Sequence, residues 1–118
     1  MNQDSPSLDD LLATVADLLG ELQASLPEEQ RYKAQVGAFL LAVCRRELGE
    51  GPALAEGERA RLAAFLGHEG ELPELRRTLC EAIRSGACDE RWDEAVALAL
   101  RHAADKTAIV RPDRLDPA

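Results

Sequence analysis

Leucine, valine and isoleucine return at three- and four-residue steps along almost the whole chain, a period that an amphipathic α-helix satisfies and a strand does not. Aromatic residues make up 3% of the sequence against an apolar share of 46%, so a core must be built from Leu, Ala and Val. An all-α fold is the expectation. The 118 residues suffice for one core and not two, which predicts a single helical domain over 1–118, with 1–7 and 112–118 extended or flexible.

Ser7 followed by Asp10 reads as a capping-box-like start for a first helix, with Asp9 and Asp10 favoured by the helix dipole. Leu8, Leu11, Leu12, Val15, Leu18, Leu19, Leu22 and Leu26 then trace one apolar stripe until Pro27 forces a break. A second helix is predicted from Glu28 to Leu48, its apolar face made by Tyr32, Val36, Phe39, Leu40, Val43, Cys44 and Leu48. The Gly49-Glu50-Gly51-Pro52 run predicts a turn. A third helix is expected from about Ala55 to Leu66, with Leu62, Phe65 and Leu66 inward. Beyond the Gly67-His68-Glu69-Gly70 loop, Pro73 suits a first helical turn, and Leu72, Leu75, Leu79 and Ile83 carry the stripe to Gly86. Asp89 is placed to cap a fifth helix, with Trp92, Val96, Leu100 and Ala103 on its inner side, and Pro112 ends it. The tail from Arg111 to Ala118 is predicted to be extended. The architecture expected is a compact bundle of about five antiparallel helices joined by short loops.

Charge is distributed unevenly. Residues 1–30 hold Asp4, Asp9, Asp10, Asp17, Glu21, Glu28 and Glu29 and no Lys or Arg, while the rest of the chain carries 15 acids and 14 bases, so residues 1–30 hold nearly the whole net charge of −8. An acidic face repels phosphate backbones, which argues against nucleic acid as its partner, and it suits a basic protein surface better. A solvated face that aids solubility is the simpler account. No run approaches the roughly 18 apolar residues of a membrane span, and Met-Asn-Gln-Asp-Ser-Pro is unlike a signal peptide. A cytoplasmic protein without membrane contact is therefore predicted. Cys44, Cys80 and Cys88 are odd in number and contain no Cys-x-x-Cys pair, a poor framework for disulfides or zinc.

Few residues offer chemistry. His102 and Asp105 stand three apart on the last helix, where a carboxylate can tune an imidazole, but no second pair exists to complete a metal site, so a surface histidine beside an acid is the better reading. His68 with Glu69 lies in a Gly-flanked loop with no nucleophile, which reads as a polar turn. Val43 and Leu79 beside Cys44 and Cys80 suggest inert, core-adjacent thiols; Cys88, in a turn between Arg84 and Arg91, has some scope for reactivity, although an unreacted thiol is the better reading. Arginines outnumber lysines twelve to two. The pairs Arg45-Arg46 and Arg76-Arg77 could grip a phosphate or carboxylate, but interleaved acids such as Glu47, Glu74 and Glu81 make internal ion pairing simpler. Catalytic-triad, phosphate-loop and dinucleotide fingerprints are absent from the sequence. No catalytic, metal-binding or cofactor-binding residue is assigned.

Several stretches taken together resemble a known family. Tyr32-Lys33-Ala34-Gln35-Val36 through Cys44-Arg45-Arg46-Glu47-Leu48-Gly49, Glu58-Arg59-Ala60-Arg61-Leu62-Ala63, Leu79-Cys80-Glu81-Ala82-Ile83-Arg84-Ser85-Gly86 and Ala104-Asp105-Lys106-Thr107-Ala108-Ile109-Val110-Arg111-Pro112 resemble a bacterial family of small helical proteins classed as a domain of unknown function. Its members are commonly encoded beside an aminoglycoside-phosphotransferase-like kinase and an acyl-CoA dehydrogenase. They include the small subunit that accompanies the 4-hydroxyacyl-CoA kinase of levulinate breakdown. The resemblance implies a non-catalytic accessory subunit, with the kinase supplying ATP, magnesium and the catalytic base. Gln35 and Phe39 stand where the family tends to have Arg and Asn, and Leu115 where it often has Tyr; if those polar residues read a partner, this member binds a different one.

The function expected is thus a cytoplasmic partner of a phosphotransferase-type kinase acting on hydroxyacyl-CoA thioesters, needing no cofactor of its own. Asp105, Lys106, Arg111, Pro112, Arg114 and Leu115 are the candidate docking residues, because the likeness is densest there and the tail cannot continue as helix. The same residues could equally face solvent or wrap their own bundle. Two alternatives stand beside this: a homodimer that buries surplus leucine faces, and a small enzyme using His102 and Asp105 or a thiol.

Overall fold

In the computed structural model residues 6–115 are described, and they are all-helical. Among them four α-helices follow in order: α1 (Leu8–Gln23), α2 (Glu28–Leu66), α3 (Leu72–Ser85) and α4 (Trp92–Val110), with 3₁₀ turns at Asp89–Arg91 and Pro112–Arg114. The chain forms two compact units that meet in sequence between Glu50 and Gly51.

In the first unit α1 begins as its sequence dictates. Ser7 Oγ accepts from the Asp10 amide and the Ser7 amide donates to Asp10 Oδ2, both at 3.1 Å, a complete capping box. The helix stops at Gln23, before Pro27 requires it. Arg31, the first base in the sequence, closes this end: its Nε donates to the Gln23 carbonyl at 3.1 Å and its Nη2 to that of Leu26 at 3.0 Å, filling acceptors that a helix end leaves unpaired. Farther along, Leu19 lies against Gly37, and Asp9 accepts from Arg45. The partner on α2 thus rises from 31 to 37 to 45 as the position on α1 falls from 23 to 19 to 9, so the two helices run antiparallel here.

The turn expected at Gly49–Pro52 does not form, and the helices expected at Glu28–Leu48 and Ala55–Leu66 are one. Glycine ends a helix where it takes a left-handed φ, and among the described residues only Gly67 (84°) and Gly86 (87°) do so. Pro52 deletes one helical hydrogen bond, at a cost of about 3 kcal/mol, but its ring faces solvent while the adjoining Gly51 is buried and Leu54 half-buried. Good helix formers on both sides, Glu47, Leu48, Ala53 and Ala55, carry the helix through. That continuity reduces the count from five helices to four.

The second unit has a true core. Leu62, Ala63 and Leu75 are buried, with Leu66, Leu72, Leu79 and Leu98 packed against them. Pro73 sits in the first turn of α3, and Gly86 ends it in a Schellman arrangement, its own amide donating to Ile83 and that of Ala87 to Ala82. Asp89 does not cap α4 as expected; it opens the 3₁₀ turn, and Arg91 occupies the cap position. The inward face of α4 is also different. Trp92, Val96 and Leu100 are exposed, Leu100 at 66%, whereas Ala95 and Ile109 are buried. The tail turns through Pro112–Arg114 instead of extending; Pro117 lies outside the described residues.

Candidate functional site

The reversed face of α4 is explained by two carboxylates. Glu58 on α2 and Asp105 on α4 have side chains only 13% and 15% exposed, and each is held by two basic groups. Arg76 of α3 grips Glu58 with two guanidinium nitrogens, and His102 Nδ1 stands 3.1 Å from Glu58 Oε2. Arg61 Nη2 donates to Asp105 Oδ2 and Arg101 Nε to Oδ1, both at 3.1 Å. Three of these four pairs cross between helices, Arg101–Asp105 lying within α4, so α4 must turn His102 and Asp105 toward α2. Its Trp92, Val96 and Leu100 row is left outside. Burial pushes the Glu58 carboxyl up, but its hydrogen bond to Arg76 and the charges of Arg76 and His102 more than reverse this, leaving it below its ordinary value.

His102 and Asp105 therefore do not work as the pair their spacing suggested: His102 pairs with Glu58 and Asp105 with Arg61, both of α2, and Asp105 also with Arg101 of α4. The partners Glu58 and Arg61 were missed as site residues. Their signal is the step of four from Glu58 to Leu62, which puts an acid in line with a core leucine on one helix face.

The other sequence candidates are placed as follows. His68 Nδ1 lies 3.0 Å from the Glu69 carbonyl oxygen, and Arg59 ties Glu69 to Glu56, so this loop is a clasp. The cysteine expectations are inverted: Cys44 and Cys80 are exposed and Cys88 is 3% exposed. Helix neighbours in sequence point about 100° apart, so Val43 and Leu79 say little about the environment of the next residue. Arg45 and Arg76 are ion-paired internally, with Asp9 and Glu58 rather than with the nearer acids. Of the tail candidates, Asp105 is engaged as above and Lys106 is exposed; Arg111 and Arg114 both face Asp113, Pro112 opens the turn, and Leu115 is exposed.

Beside the Asp105 cluster is an open groove of about 530 Å³, lined by Arg61, Phe65, Arg91, Glu94, Leu98 and Arg101 among others. The Arg91 guanidinium lies 3.9 Å above the centre of the Phe65 ring and donates to both Glu94 oxygens and to the Phe65 carbonyl. Its lining offers planar cations, the Glu94 carboxylate, a ring and aliphatic carbon. Among the described residues no three of His, Cys, Asp and Glu converge as metal ligands, and no helix is long and apolar enough to cross a membrane.

The second notable surface is apolar. Leu8, Leu11, Val15, Leu18 and Leu22 of α1 are 43 to 57% exposed, and Tyr32, Phe39 and Leu40 of α2 are exposed as well.

Residues 24–113 match the family model of a domain of unknown function, DUF6285, and the chain belongs to that family. The match begins just after α1. No curated protein and no solved structure matches the chain.

Proposed function

We propose that this protein is a non-catalytic accessory subunit that binds a phosphotransferase-type kinase acting on hydroxyacyl-CoA thioesters in the cytoplasm. One observation carries the reading: the sunken acids and their bases are consumed in internal clasps, while large apolar side chains stand outward on α1, α2 and α4. Surfaces of that kind exclude water against another polypeptide. The kinase partner comes from the family resemblance, and the kinase would bring nucleotide, magnesium and the catalytic base. Lys106, Arg114 and Leu115 offer two charges and an apolar contact near the C-terminal end; Asp105, with both oxygens taken, would position α4 rather than touch the partner.

Co-expression with the kinase encoded beside this chain, followed by co-purification, tests the reading. A stable complex is expected, weakened by Lys106→Ala and by deletion of the residues after Arg111. Absence of any complex would remove the proposal, and an undiminished complex with both variants would remove the tail from it. A second reading, a homodimer, draws on the exposed α1 leucines; a sedimentation experiment on the isolated chain distinguishes it.

A further inference from the structure

The leucines of α1 form two seams. Leu12, Ala16, Leu19 and Gln23 are half-buried, and Leu19 meets Gly37 of α2. Leu8, Leu11, Val15, Leu18 and Leu22 recur at alternating steps of three and four, the spacing with which one helix receives another, and all five are exposed. At about 100° per residue the exposed seam lies roughly 90° round the helix from the half-buried one. On its other side, away from α2, the same geometry puts Asp10, Asp17 and Glu21 in a row. No base answers that row from α1 itself, which contains none. Of the bases that reach α1 from α2, Arg31 binds the Gln23 carbonyl, and Arg45 pairs with Asp9 and feels the charges of Asp17 and Asp10 more weakly.

We infer that this seam receives an amphipathic helix of a partner protein whose own apolar seam is edged with Lys or Arg. Charge decides between the candidate occupants. A second copy would bring the same acidic helix against this one, and like charges across a helix pair disfavour it. An anionic lipid surface is repelled for the same reason. A basic edge both attracts and fixes register, as complementary flanking charges do in paired helices. The inference rests on the accessory-subunit reading and deepens it by naming the recognition chemistry of the docking helix.

The full chain is titrated by calorimetry with three synthetic helical peptides: one with a leucine seam and Lys/Arg edges, one with the same seam and Glu edges, and one with basic edges and serines in the seam. The first is expected to bind at least about tenfold more tightly than the others. Asp17→Lys with Glu21→Lys should invert the preference between the first two. Leu11→Ser with Leu18→Ser should abolish binding while leaving the thermal melt unchanged, because both side chains are half exposed. Equal affinity for basic- and acidic-edged peptides would overturn the inference, as would binding that survives loss of the leucines. A dimer of the isolated chain that Leu18→Ser dissolves would assign the seam to a second copy instead. Co-purification with the kinase that persists in the Leu11→Ser, Leu18→Ser variant would remove this seam and leave the accessory-subunit reading standing; no complex with the unaltered chain would remove that reading itself.

Discussion

The unit before Gly51 and the unit after it use their leucines differently. After Gly51, Leu62 and Leu75 are enclosed and the adjoining acids are clasped between helices. Before it, the buried apolar side chain among the described residues is that of Ala34, and Leu8, Leu11, Leu18 and Leu22 of α1 face outward. One unit thus encloses its largest leucines, while the other leaves an apolar seam open to solvent. The same residue type serves both ends, and only its position on the helix decides which.

The sharpest way to break this comparison is a matched pair of truncations. Leu75 is fully enclosed, so Leu75→Ala should cost about 3 kcal/mol, read as a lower urea midpoint by the fluorescence of Trp92 in the same unit. Leu18→Ala should leave that midpoint in place. Equal losses would contradict the division.

Next in size is the Glu58 clasp. Glu58→Gln replaces a charged acceptor of Arg76 and should cost about 2 kcal/mol in the same experiment. Its pH dependence has a definite sign. Because the folded carboxyl lies below its ordinary value of 4.5, the clasp contributes above that value and is lost as pH falls through the lower folded one. The unaltered chain should therefore lose stability below about pH 4.5, and Glu58→Gln should flatten that slope. A Glu58→Gln profile as steep as the original would place the acid sensitivity elsewhere.

Smaller again is Gly86→Ala. A side chain at φ 87° is strained, and its Cβ would sit 3.3 Å from the Asp89 carboxylate, so a loss of about 1 kcal/mol is expected. The smallest effect belongs to the first unit: Arg45→Ala removes a surface pair with Asp9 and should leave the midpoint unchanged. A large drop there would show that the α1 contact with α2 depends on it.

The sequence made helix periods and ends legible wherever the signal was local. The Ser7 capping box, Pro73 in a first turn and Gly86 as a terminus all act within one or two turns of chain. It misled where tertiary contacts overruled local preference. The Gly-Glu-Gly-Pro run reads as a turn by propensity, yet a glycine stops a helix only when something requires a left-handed backbone, and nothing does at Gly49. The inner side of α4 was misread because apolarity pointed to Trp92, Val96 and Leu100, whereas the clasps of Glu58 with His102 and of Arg61 with Asp105 turn the polar side inward. The step from Glu58 to Leu62 puts that acid in line with the core, but the sequence does not name its partners Arg76 and His102 on the other helices. Cys44 and Cys88 exchanged expected environments because adjacency in sequence is not adjacency on a helix face.

On the accessory-subunit proposal this chain contributes surface and the kinase the chemistry. ATP consumption with a hydroxyacyl-CoA substrate should be measured for the chain alone, for a phosphotransferase-type kinase of the kind proposed as its partner alone and for the two together. The account predicts no turnover by the chain alone and a higher rate for the pair than for the kinase by itself. Turnover by the isolated chain, lost on His102→Ala, would contradict it.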